Sequence, residues 1–132
     1  MNRNLIGVVL ISSMTLFIAG CPHHATLYNV NDAPVVVGKK DYSMDEVKLA
    51  IVRAGAALGW NMQEVEPGKI LGTLHLRSHM AQVDIPYSTN SYSIVYKDSD
   101  NLNYDGSKIH SNYNGWIQNL DRGIKTQLSI IQ

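Results

Sequence analysis

A chain of 132 residues with 11 basic and 11 acidic side chains, 45% hydrophobic residues and a single cysteine is sized for one domain and has no internal disulfide to draw on. Its neutral balance and lack of any run of like charge argue against nucleic acid, because phosphate binding concentrates Lys and Arg on one face. Stability therefore has to come from one buried apolar core.

The first element is an apolar run from Leu5, preceded by Arg3 and followed by the small residues Ala19 and Gly20. A basic start, about 15 apolar residues and a small-residue end form the layout of a secretory signal, whereas a spanning helix needs about 20. Residues 1–20 are read as that signal peptide. The segment Ile18-Ala19-Gly20-Cys21 resembles the bacterial lipobox, which implies cleavage before Cys21 and acylation of that cysteine. A lone thiol in an exported chain is otherwise unexplained. Pro22 follows the cysteine in place of the aspartate of inner-membrane retention, and the resemblance then implies the periplasmic face of the outer membrane.

Residues 21–33 have no hydrophobic periodicity and are read as the lipidated cysteine and a flexible tether, with a single domain over 34–132. The β-branched run Pro34-Val35-Val36-Val37 admits an extra edge strand. Ser43-Met44-Asp45-Glu46 has the form of a capping box. The helix it starts carries an apolar stripe at Met44, Val47, Ile51, Ala54 and Leu58, with Gly59 placed to end it.

From Trp60 to Lys97 the period becomes two. Pro67-Gly68 is the first turn, and a bulge or three-residue loop near it brings Met62 opposite Leu74 and Trp60 opposite Leu76. A turn at Ser78-His79 pairs Leu76 with Ala81, Leu74 with Val83 and Gly72 with Ile85. A loop over 88–91 pairs Tyr87 with Tyr92 and Val83 with Tyr96. One face is then apolar, and the other shows Thr73, His75, Arg77, Gln82, Asp84, Ser93 and Lys97. A long amphipathic helix runs from about Ser107, with Ile109, Tyr113, Trp116, Ile117, Leu120, Ile124, Leu128 and Ile131 at helical spacing. The expectation is a two-layer α+β domain: a shorter helix, then a four-stranded antiparallel meander packed against a long C-terminal helix.

Reactive chemistry finds little support. His23-His24 supply two ligands where a structural zinc wants four, and His75 and His79 have no cysteine or carboxylate to complete a set, so no metal site and no cofactor are expected. Asp98-x-Asp100 with Asp105-Gly106 fails as a calcium loop, since Ile109 stands where the bidentate Glu belongs. Glu64 and Glu66 read as a solvated strand end rather than an acid/base pair, and there is no nucleophile elbow or phosphate loop. The chain is read as a non-enzyme. Two surfaces stand out for partner binding: Thr73, His75, Gln82 and Asp84 on the polar sheet face, and Tyr104, Asn112 and Asn114 around the loop-to-helix junction.

The run Gly59-Trp60, Pro67-Gly68, Tyr92-Ser93-Ile94-x-Tyr96, Leu102-x-Tyr104 and Ile109-His110-x-x-Tyr113-Asn114-x-Trp116 resembles a group of small lipoproteins of Gram-negative bacteria. That group brings no catalytic residues to carry over. The helix-plus-sheet layout is also similar to compact lipoprotein domains attached to the outer-membrane protein assembly machinery, a likeness of fold alone. The expected role is binding or scaffolding of another envelope protein from a lipid anchor. The alternative is a small-ligand or lipid-binding module, with a cavity between sheet and C-terminal helix hinted at by Gly72 among large neighbours.

Overall fold

The structure, a computed structural model, describes residues 23–132; the expected signal peptide 1–20 and the lipidation site Cys21 lie outside the described residues. The chain runs β1 (His24–Thr26), β2 (Val30–Pro34), α1 (Met44–Ala57), β3 (Asn61–Glu66), β4 (Lys69–Leu76), β5 (His79–Pro86), β6 (Ser91–Asp100), β7 (Lys108–His110) and α2 (Ser111–Ser129). The fold is α+β, with an antiparallel sheet in the order β2-β6-β5-β4-β3 and a two-stranded ribbon β1-β7.

Helix α1 starts as its sequence dictates. The Glu46 amide donates to Ser43 Oγ at 3.2 Å, and the Ser43 amide donates to Glu46 Oε2 at 2.8 Å, so two orphan donors of the first turn are satisfied reciprocally. Lys39 Nζ, 2.6 Å from Glu46 Oε1, together with the Ser43 amide holds that carboxyl below its ordinary range. Gly59 ends the helix at φ +85°, a conformation that carries no Cβ penalty in glycine. Val47, Ala50, Ile51 and Ala54 are buried, whereas the stripe's two ends, Met44 and Leu58, are 38% and 42% exposed.

The meander carries the expected faces through a different register. Gly68 turns at φ +85° and a bulge at Val65 follows from the pairs Glu64–Ile70 and Glu66–Lys69. The bulge is where the pattern of apolar residues required one, but Met62 lies opposite Gly72, not Leu74. The next turn is Arg77-Ser78, not Ser78-His79: Leu76 pairs with His79, Leu74 with Ala81 and Gly72 with Val83. Arg77 occupies φ +57°, a conformation that favours glycine, so nothing in the dipeptide announces the turn. Both displacements are of two residues, and the pleat returns every side chain to the same face after two. The third turn has the expected pairs Tyr87–Tyr92 and Val83–Tyr96, followed by a bulge beside Gln82.

Two further departures lie in the N-terminal part. The stretch read as flexible tether forms β1 and most of β2, with Val30 and Ala33 buried. β1 pairs with β7 and β2 with β6, and such short strands take their order from distant partners rather than from local periodicity. The edge strand is Val30–Pro34 instead of residues 34–37, and it makes the sheet five-stranded. Ile109 belongs to β7 opposite Ala25, so α2 begins at Ser111.

The core is one cluster. Ile70, Leu74, Ala81, Val83, Ile85, Tyr92 and Ile94 of the sheet meet Val47, Ile51 and Ala54 of α1 and Tyr113, Ile117, Leu120, Ile124 and Leu128 of α2. Asp121 is the one buried charged residue among those described. Tyr92 Oη donates to its Oδ1 at 2.6 Å, and Lys125 Nζ donates to its Oδ2 at 2.6 Å, so both carboxylate oxygens are used. Burial first, and then the bond to Asp121, push the Tyr92 phenol far above its ordinary value. Tyr113 is fully buried too, which raises its phenol in the same direction, but its Oη has no hydrogen-bond partner among the described residues.

These two tyrosines should respond in opposite senses to loss of the hydroxyl. Tyr92→Phe leaves a buried carboxylate oxygen unpaired and is expected to cost about 1–3 kcal/mol, while Tyr113→Phe is expected to be neutral or to stabilise by about 1 kcal/mol. Urea unfolding of both variants checks this, and a larger loss for the Tyr113 variant contradicts it. Because both folded-state phenols lie above the unfolded value, their contribution is fully present below about pH 10 and is lost as pH rises toward the folded values. A stability profile across alkaline pH should show that decline.

Candidate functional site

The outward residues of β4, β5 and β6 form an open surface, none of them fully buried. Cross-strand pairing sets them in rows. Thr73 stands opposite Gln82, and Gln82 Nε2 donates to Thr73 Oγ1 at 3.3 Å. In the next row Asp84 lies between Leu71 of β4 and Val95 of β6, with Lys97 Nζ at 3.4 Å and Lys69 Nζ at 3.8 Å. His75 is exposed at the end of β4 opposite Met80. The four residues expected on this face are thus brought together. Half-buried Leu71 and Val95, absent from the sequence reading, add apolar area on both sides of Asp84. Aliphatic residues at outward positions of otherwise polar strands were their signal.

The sheet's edges are closed to strand addition. β3 carries the Val65 bulge and the acidic Glu64 and Glu66, with Lys48 of α1 2.9 Å from Glu64; β2 carries Pro34 and its own irregularity between Val30 and Ala33. Bulges, prolines and charges are the usual ways in which edges resist pairing with another chain.

The second expected surface is partly committed to the fold. Asn114 Oδ1 accepts from the Tyr28 amide at 3.0 Å and its Nδ2 donates to the Thr26 carbonyl at 2.8 Å, so this amide side chain braces the end of β1 and the loop after it against α2 instead of standing free. The Tyr104 ring lies 4.2 Å from the Tyr96 ring, and its Oη donates to the Gly106 carbonyl at 3.2 Å. Asn112 remains exposed. Asp105 is spent on its own turn, accepting from the amides of Lys108 and Ser107 at 2.7 and 2.9 Å, and these bonds lower its carboxyl below the ordinary range.

A cluster of rings was not foreseen. His23 stacks on His110 with centroids 5.5 Å apart, His110 is 6.4 Å from His79, and His79 is 6.4 Å from Trp116. His23, His24, His110 and Asn103 line a groove of about 250 Å³. These residues come from the first described residues, the start of β5, the loop after β6 and the junction of β7 and α2, separations that leave no local pattern to read. The rings are held individually: His79 Nδ1 lies 2.7 Å from the Asn101 carbonyl, His24 Nε2 3.1 Å from the Asn103 carbonyl, and His110 Nδ1 accepts from the Asn112 amide at 3.2 Å. No three His, Cys, Asp or Glu side chains among the described residues are placed to share a metal ion.

The cavity suggested by Gly72 is occupied. A Cβ there would come within 3.0 Å of Val83, 3.2 Å of Met62 and 3.4 Å of Trp60, and a Cβ at Gly55 would collide with the same Met62 side chain. Met62 therefore fills the space that two glycines leave between β4 and α1. No described helix is long and apolar enough to cross a membrane. No family model matches the chain, and no curated protein or solved structure is significantly similar to it.

Asn114→Ala should release residues 24–28 without unfolding the sheet. Loss of its two bonds, at about 0.5–1.5 kcal/mol each, predicts roughly tenfold faster exchange of the Tyr28 amide and of the β1 amides. Hydrogen exchange read by residue tests this, with the amides of β5 as the unchanged reference.

Proposed function

We propose that this protein is a membrane-anchored lipoprotein of the cell envelope, held through acylated Cys21 at the periplasmic face of the outer membrane. Its domain binds another envelope protein, or helps assemble one, without catalysing a reaction. The observation that carries the binding reading is the outer sheet face, where Thr73, Gln82 and Asp84 present donors and acceptors around half-buried Leu71 and Val95. Polar groups fixed by cross-strand bonds beside a modest apolar area are what a non-obligate interface requires. Closed sheet edges and a filled Gly72 site support this over strand addition or an internal ligand. The anchor rests on the lipobox-like segment and on the uniqueness of Cys21.

Two outcomes are expected. Cys21→Ala should move the protein from the membrane fraction to the soluble one. The double change His75→Glu and Gln82→Lys should leave stability within about 0.5–1 kcal/mol of wild type, as surface substitutions do, yet abolish capture of the partner from cross-linked envelopes and rescue of a deletion strain. Full rescue by the double variant would place the partner surface elsewhere.

A further inference from the structure

The described chain begins under constraint. The His23 carbonyl accepts from the Ser111 amide at 2.7 Å, the His23 ring stacks on His110, and the following residues pair with β7. Cys21 precedes His23 by two residues, a separation that an extended chain spans in about 7 Å. A lipid carried by Cys21 therefore cannot stand far from this end of the domain.

The same end gathers exposed apolar and amphipathic side chains. It is built from the end of α1, the start of β3, the β4–β5 turn and the start of α2. Leu58 and Leu76 are 42% and 44% exposed, and with Trp60, Leu74, Trp116 and Asn119 they line a groove of about 100 Å³. The ring series from His23 through His110 and His79 reaches Trp116, which is part of that groove. The patch is thus continuous with the point where the chain arrives from Cys21. Trp and other rings with an apolar body and a polar tip are the side chains that settle at headgroup level.

We propose that this end of the domain, through Leu58, Leu76, His79, His110 and Trp116, rests on the lipid headgroups of the membrane in which the Cys21 acyl chains are inserted. The inference depends on the lipoprotein reading above and adds an orientation to it. The domain lies against the bilayer in one pose, with the β4–β5 turn down and the loop over 88–91 away from the lipid, in place of a domain swinging on a tether.

The acylated full-length protein tests this in vesicles of phosphatidylethanolamine and phosphatidylglycerol that contain a headgroup spin-labelled lipid. Once Cys21 is acylated, Leu76→Cys and Asn90→Cys each offer one free thiol for a fluorophore, at the near and far ends respectively. The label at position 76 should be quenched several-fold more than the label at position 90. Intrinsic tryptophan emission should also be quenched, and Trp116→Phe should remove most of that effect, since Trp60 is 4% exposed. Equal quenching of both labels in protein that floats with the vesicles overturns the orientation while leaving the anchor intact. Self-quenching between labels at position 76, without quenching by lipid, overturns it in favour of a second copy of the chain. Failure to float with the vesicles overturns the anchor, and the orientation with it.

Discussion

The domain depends on closing one sheet face with two helices. With a single cysteine in the chain, no internal disulfide adds to that burial, so the packing of α1 and α2 over Ile70, Val83, Ile85 and Ile94 carries most of what offsets the conformational entropy of folding. Each fully buried aliphatic side chain contributes about 1.5–3 kcal/mol, and the core is small enough that its polar contents matter. Asp121 satisfies the constraint by using both oxygens, one on Tyr92 of β6 and one on Lys125 a turn away in α2. A charge removed from water is tolerable only when paired and hydrogen-bonded in this way. The same bond ties α2 to the sheet at a set position, which the apolar contacts alone, being non-directional, do not impose.

The alternation of the strands explains how much was legible. Which residues of β4, β5 and β6 face inward follows from a period of two, and it survives a register error of two residues. The pairings themselves turned on Arg77, whose left-handed backbone gives no compositional sign of a turn, and on Met62, which found its place opposite Gly72 because a helix glycine, Gly55, makes room from the other side. Neither fact is local. The capping box of α1 and the bulge beside the Pro67-Gly68 turn were legible because each rests on residues within a few positions of one another. β1 and β7 were not, since three-residue strands with partners more than eighty positions away acquire their structure only from the finished fold. The same holds for the site: Thr73, His75, Gln82 and Asp84 share a face because the pleat requires it, whereas Asn114 and the histidine cluster became meaningful only when β1 was seen to lie beside α2.

The order in residues 24–34 changes what an anchor at Cys21 implies. A flexible tether of a dozen residues would let the domain sample all orientations, and its surfaces would have equal access to lipid and to solvent. With β1 paired to β7 and Asn114 bonded to the backbone at Thr26 and Tyr28, only two positions in sequence separate Cys21 from His23, whose carbonyl is bonded to Ser111. On the lipoprotein reading proposed above, acyl chains at about 0.8 kcal/mol per buried methylene would hold the protein on the membrane without help. The exposed leucines and Trp116 are too few to anchor it and need not do so.

Their effect is on direction. Once the proposed lipid is inserted, contact between the patch and the headgroups is effectively intramolecular, so covering the remaining exposed area of Leu58 and Leu76, worth about 1–2.5 kcal/mol together, suffices to favour one pose by roughly tenfold. β4 ends and β5 begins at that patch, so the proposed pose stands these strands up from the bilayer instead of laying a sheet face on it. The row of Leu71, Asp84 and Val95, and the Thr73–Gln82 pair beside it, then look sideways along the membrane. On the proposed reading, a surface so placed would meet the flank of another membrane-attached protein at short range, and a partner confined to the same plane would need little intrinsic affinity to be captured there.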